Sequence, residues 1–241
     1  MDDHIYALPP LRKNGNTEKL TLAVIEFCYR AAMEISERFR GYLPVVVDLE
    51  TGGFSKESNP VLEIACTFLT MNEDELSVKR HARWDVNPFP NSIIDPASLK
   101  VTKIDLDDPD RNGIDEKDAL TEFFREVREE MKVSGCHRAV MVAHNASFDQ
   151  GFINMACERT NLKRNPFHPF TALDTATLGA LAFGHTVLRE ACRRAGIDFS
   201  EAKAHNAAYD AERTALLFCH IVNAWDYQTA WLDSARDSDG D

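Results

Sequence analysis

The run Leu43-Pro44-Val45-Val46-Val47 is continuously apolar and rich in β-branched side chains, and it closes on the polar sequence Asp48-Leu49-Glu50. This pattern predicts a buried strand over 44–48. Further strand signals over 61–71 and 77–86, joined through the acidic turn at 72–75, predict a three-stranded meander. Upstream, Leu20, Ala23, Val24, Phe27 and Ala31 recur at helical spacing and predict a helix over 17–38. A helix over 115–133 then crosses to a nearly continuous apolar strand at 139–143, which suits a central parallel position. Helices are expected over 148–160, 172–182, 186–195 and 207–227, and Asp95-Pro96 reads as a helix start. The sum is an α/β chain with a mixed sheet flanked by helices.

The chemistry sits where these elements end. Residues i and i+2 of a strand project from one face, so the Asp48 and Glu50 carboxylates point the same way from the end of a buried strand. Two fixed anions so placed repel unless a cation joins them. Asp149 closes His144-Asn145-Ala146-Ser147-Phe148-Asp149 just after the strand at 139–143. Asp210 closes His205-Asn206-Ala207-Ala208-Tyr209-Asp210 as the last helix begins. Four carboxylates and one histidine from three segments suit two hard divalent cations with oxygen ligands. Residues five apart on one helix point about 140° from each other, so His205 is expected on the loop before the helix that carries Asp210. Taken singly, each residue has a structural explanation: an Asp after a strand caps a helix, a His before one is solvated, and Asn145 caps the helix that follows it. His81 and His220 keep such structural roles.

Composition narrows the picture. The chain has 241 residues and is 44% hydrophobic, enough for one large core. One domain is expected over 17–232, between loose ends at 1–16 and 233–241, the latter an acidic tail. Six cysteines show no C-x-x-C pair and mostly lie in apolar stretches, as reduced core residues of a cytoplasmic protein do. Neither a signal peptide nor a membrane span is legible, so no membrane partner is expected. The formal net charge of −12 is concentrated in a few segments rather than spread along the chain. Nearly all of it falls at 73–75, at 105–118 and in the tail, so local basic clusters can still attract phosphate.

Asp-x-Glu, then Asp after His-Asn-x-x-Phe, then His-x-x-x-x-Asp is a three-part pattern that resembles the DEDDh 3′–5′ exonucleases from about Arg38 to Val222. The wording Met141-Val142-Ala143-His144-Asn145 and 163–170, Lys-Arg-Asn-Pro-Phe-His-Pro-Phe, is closest to the branch that trims bacterial RNA 3′ ends. The resemblance implies a ribonuclease H-like fold with a mixed five-stranded sheet. It implies that Asp48, Glu50, Asp149 and Asp210 hold two Mg²⁺, with Mn²⁺ as an alternative, and that His205 is the general base. An imidazole accepts a proton near neutral pH.

Two further groups of residues bear on substrate. Arg38 and Arg40 precede the first strand, Arg138 precedes the strand leading to Asp149, and Lys163 and Arg164 precede the Pro-Phe-His-Pro-Phe loop. The resemblance assigns such positions to RNA backbone contacts delivered across a homodimer. Phe54, Phe148 and Phe170 are candidates to stack a terminal base, against ordinary core packing. Where the family carries a further stacking Phe this chain has Val101, and Ala97 stands at a neighbouring acidic selectivity position.

The expected function is 3′–5′ exonucleolytic trimming of tRNA and other stable RNA ends, releasing 5′-mononucleotides, with single-stranded DNA as a second substrate. A proofreading-type DNA exonuclease subunit and an inactive nucleic-acid-binding module are the alternatives. An inactive module is expected to have lost one of the five motif residues, and a proofreading subunit to carry a partner-binding tail.

Overall fold

The described residues of the computed structural model are 33–225, all within the unit Met33–Asp241. In chain order they form α1 (Ile35–Arg38), β1 (Tyr42–Thr51), β2 (Val61–Asn72), β3 (Glu75–Asp85), α2 (Pro96–Thr102) and α3 (Glu116–Val133). There follow β4 (Arg138–Ala143), α4 (Ser147–Arg159), β5 (Phe167–Asp174), α5 (Thr175–Phe183), α6 (Leu188–Arg194) and α7 (Ala207–Ala224). Of the helix expected at 17–38 only the last turn falls in this range. Residues 1–32 and 226–241, with the expected loose ends and Cys28, lie outside the described residues.

The sheet order is β3-β2-β1-β4-β5, with β1 antiparallel to β2 and parallel to β4. β1 is buried along nearly its whole length because it is paired on both edges, with α3 and α4 packing against it as well as α7. This is the mixed five-stranded sheet flanked by helices that the family resemblance implies; the sequence pattern alone marked four of its strands. Phe123 packs against Phe124, Phe167 and Trp84, at ring separations of 5.5, 5.7 and 5.6 Å. Phe123 and Phe124 are fully buried, and each contributes on the order of 2–3 kcal/mol.

Two departures from the expected elements share a cause. The segment at 166–170 was expected as a loop and 172–182 as a helix, yet β5 occupies Phe167–Asp174 and the helix starts only at Thr175. Prolines are tolerated in edge strands, and β5 is an edge strand whose ladder skips from Ala139↔Phe167 to Met141↔Ala172. Pro169 and Phe170 ride in the skipped stretch, where the His168 ring nitrogen accepts the N–H groups of Phe170 and Thr171. Asp174 delays the helix by accepting the Ala176 N–H as its N-cap.

Packing of small side chains sets the height of α7 over the sheet. Ala207 and Ala211, one turn apart, pack on Ala65, and Ala65 is the register partner of Asp48. The first turn of α7 therefore rests on the strands at the level of Asp48.

Candidate active site

The pairing of β1 with β4 ends at Val46, whereas its pairing with β2 runs on to Thr51. The last residues of β1 thus leave one edge open, and the Asp149 carboxylate accepts the Leu49 N–H there at 3.1 Å. Asp149 lies in the first turn of α4, where a negative charge is favoured. Asp210 occupies the corresponding place in α7, whose start is fixed by Asn206 accepting the Tyr209 N–H at 3.1 Å. Three chain segments far apart in sequence meet in this way.

One carboxylate oxygen each from Asp48, Glu50 and Asp210 lies within 4.8 Å of the others. Asp149 stands beside them with its carboxylate turned to β1. Burial pushes the Asp48 carboxyl well above the usual carboxylate range, and the charges of Asp149, Glu50 and Asp210 push it further. Burial first, then Asp210, Glu63 and Asp149, raises Glu50 to about 8. Burial also raises Asp149, against the hydrogen bonds it accepts from its own N–H and from that of Leu49. The Asp210 Oδ1 atom is buried without a hydrogen-bond partner. An orphaned acceptor among crowded carboxylates is costly unless a cation fills the gap, and an all-oxygen donor set fits a hard divalent ion.

His205 sits on the loop before α7, as the spacing argument required. Its φ of 63° lies in the left-handed region, which breaks the chain direction between loop and helix. Its own N–H donates to Asp210 Oδ2 at 2.8 Å, and its side chain is exposed. A cleft of about 760 Å³ runs past Asp48, His205 and Asp210 and is walled on the far side by Thr186, Val187 and Arg189. His144 anchors that wall: its Nε2 donates to the Thr186 carbonyl at 2.7 Å, and Nδ1 lies 3.0 Å from the Thr175 hydroxyl. Burial lowers the pKa of its imidazole, so it holds the wall as a neutral donor. Asn145 does not cap α4; its φ is 66° and its N–H donates to Asp174 at 3.1 Å.

The aromatic candidates divide. Phe54 is 87% exposed, with its ring edge-on to Phe148 at 6.3 Å, and Phe148 in turn packs on the buried Phe152 at 4.8 Å. Phe148 therefore belongs both to the core margin and to an exposed aromatic pair. The loop holding Phe54 leaves β1 through Gly52 and Gly53; a Cβ on Gly53 would overlap the Asn59 side chain at 2.5 Å. That loop is tied to α2, because the Asp95 N–H donates to the Gly52 carbonyl at 2.7 Å. Ala97, whose N–H donates to the Asp95 carboxylate, and the half-exposed Val101 lie on α2. Phe170 is 90% exposed on β5, and its ring neighbour is His168 at 6.2 Å.

The basic candidates gather elsewhere. Arg138 is the register partner of Tyr42 at the start of β1, Arg40 stacks on the Tyr42 ring at 5.2 Å, and Arg38 lies over Phe39. Lys163 and Arg164 precede Phe167, which pairs with Ala139 beside Arg138. From Tyr42 to Asp48 the strand climbs about 20 Å. All five basic residues therefore stand at the opposite end of the parallel strands from the carboxylates. His81 bonds Thr67 and His220 packs on Phe183, both structural roles.

Glu63 was not singled out in the sequence. It is the cross-strand partner of Glu50, it is buried, and it pairs with Arg83 at 3.0 Å. A lone acid within the apolar run Val61-Leu62-Glu63-Ile64-Ala65-Cys66 was the available signal. Arg189, across the cleft, carried none.

Comparison with known proteins gives concordant results. The exonuclease family model RNase_T matches residues 45–218. Ribonuclease T of Shewanella frigidimarina (strain NCIMB 400) is 50% identical over 211 residues, covering 87% of this chain and 96% of that one. Ribonuclease T of Shewanella denitrificans is 49% identical over 199 residues, covering 82% and 88%. Among solved structures, a 3′-exonuclease in specific 3′-end recognition of a histone mRNA stem-loop superposes with a TM-score of 0.62 at 15% identity, covering 86% of this chain and 70% of that one. E. coli exonuclease I in complex with a dT13 oligonucleotide gives 0.59 at 15% identity, covering 80% and 43%. These two likenesses concern the fold.

Proposed function

The chain belongs to the ribonuclease T family of exonucleases, and from that premise we propose that it trims the 3′ ends of tRNA and other stable RNAs, releasing 5′-mononucleotides. The observation that carries this reading is the cluster of Asp48, Glu50 and Asp210 with its orphaned Asp210 oxygen. In this reading 17–232 is one exonuclease domain, a span supported by the family match at 45–218.

Asp48, Glu50, Asp149 and Asp210 hold two Mg²⁺ in this reading, with Mn²⁺ as a substitute. Such ions supply Lewis acidity to the attacking water and charge neutralisation to the leaving 3′ oxygen. The chain's own groups do the rest. His205 turns its exposed imidazole into the cleft and takes the proton of the attacking water, while its N–H keeps Asp210 in register. Phe54 and Phe148 offer an exposed ring pair on which a frayed terminal base stacks, worth about 1–3 kcal/mol per base with little regard to sequence. Phe170, exposed on the edge strand, is a further ring for the strand, and half-exposed Val101 gives an apolar contact where a ring would otherwise stand.

The separation of Arg38, Arg40, Arg138, Lys163 and Arg164 from the carboxylates supports a homodimer in which this basic face of one protomer holds the RNA cleaved by its partner. Single-stranded DNA is proposed as a second substrate, since base stacking and backbone contacts do not require a 2′-hydroxyl. Among the described residues, five buried free cysteines, with Cys66 pushed up to about 12 by burial, support a reducing, cytoplasmic location. No described helix is long and apolar enough to cross a membrane.

The test is a 5′-labelled RNA duplex with a short 3′ overhang. Stepwise shortening that halts near the duplex and stops in chelator is expected. Internal fragments, or full activity in chelator, would defeat the assignment.

A further inference from the structure

A polyanion entering the cleft meets Asp48, Asp210 and Glu201, and among the described residues that line this cleft Arg189 is the one lysine or arginine. Arg189 lies at the start of α6, on the wall that faces the carboxylates. Its Nη1 donates to Glu201 Oε1 at 2.9 Å while its Nε faces Glu190 Oε1 at 3.5 Å; Arg189 and Glu201 are both open to solvent, at 50% and 73% exposure. Exposed pairs of this kind contribute little to stability, so the guanidinium can be released at small cost. A phosphate oxygen pair matches the guanidinium fork as well as a carboxylate does and brings more charge. Glu201 therefore occupies the place that an incoming phosphate would take.

We propose that Arg189 is a substrate-positioning residue that grips a phosphate of the single strand lying in the cleft, exchanging Glu201 for it. The proposal rests on the nuclease reading of the same site. Glu201 acts as a stand-in anion that keeps Arg189 aimed along the cleft and competes weakly with substrate.

Two measurements decide it: turnover of a short single-stranded RNA, and its binding in chelator across a series of salt concentrations. Arg189→Ala is expected to raise KM and Kd about tenfold, the scale of a charged hydrogen bond, with kcat within about twofold. The slope of log affinity against log salt should shrink by about 0.7, as for one lost phosphate contact on a single strand. Arg189→Lys should keep the salt slope and recover part of the affinity. Glu201→Gln should lower KM by about two- to fivefold, the size of the exposed pair it removes.

If Arg189 merely braced the His205 loop, Arg189→Ala and Glu201→Gln would both lower kcat and leave the salt slope alone, which overturns the proposal. An active enzyme with unchanged KM in Arg189→Ala overturns it too and leaves the nuclease reading standing. Protein that binds RNA through Arg189 but never shortens it keeps the contact and overturns the nuclease reading.

Discussion

Asp48→Asn is expected to lower exonuclease turnover by about 10²–10³-fold, the cost of removing one preorganised charge from a reacting centre. The same variant is expected to melt above the wild-type protein in chelator. Asp48 is the most crowded of the carboxylates, raised by burial and by Asp149, Glu50 and Asp210. In the unfolded chain these acids lose their protons near their ordinary values, whereas in the folded chain Glu50 holds its proton to about 8. Between those limits the folded state binds more protons than the unfolded one, so stability falls as pH rises from about 4.5 to 8. An amide at position 48 removes one contributor to that slope. The gain in Tm over wild type should therefore widen between pH 5 and pH 8, each kcal/mol moving a chain of this size by about 2–4 °C. Saturating divalent cation should reverse the order, because the wild-type site gains more from it. Scanning calorimetry with and without chelator reads both effects. A variant that is inactive and also less stable in chelator would mean that Asp48 serves the fold.

His205→Asn should reduce kcat by about 10²–10⁴-fold while KM stays within about twofold. Asparagine is chosen because it tolerates the left-handed backbone that His205 adopts, where alanine would add strain. The hydrogen bond to Asp210 comes from the backbone N–H and survives the change. Stability and cation binding should thus match wild type, which separates loss of the base from collapse of the loop. Partial recovery of turnover by added imidazole would support the assignment. An unchanged kcat would show that the attacking water loses its proton elsewhere.

What the sequence revealed and what it hid follow from the range of the interactions involved. Asp48 and Glu50 were legible because strand periodicity alone puts them on one face. The position of His205 was legible because helical geometry forbade it the same helix as Asp210. Asp149 was legible as an acid near a helix start, but not its bond to Leu49, which depends on β4 ending two residues short of Asp48. β5 was hidden by Pro166 just before it and Pro169 within it, since prolines are tolerated mainly at edges, strand starts and bulges, and edge position is a property of the whole sheet. Glu63 was hidden because its importance lies in a cross-strand register with Glu50. The basic residues could be named but not located: only the shared strand direction shows that they lie at the far end from the carboxylates.

Anomalous scattering from crystals soaked in Mn²⁺ shows whether folding gathers these carboxylates around divalent cations. Strong peaks are expected at bonding distance from the Asp48, Glu50 and Asp210 carboxylates, including the Asp210 Oδ1 atom, and are expected to vanish in Asp48→Asn. An empty cluster in crystals soaked at a concentration that sustains turnover would contradict such a gathering.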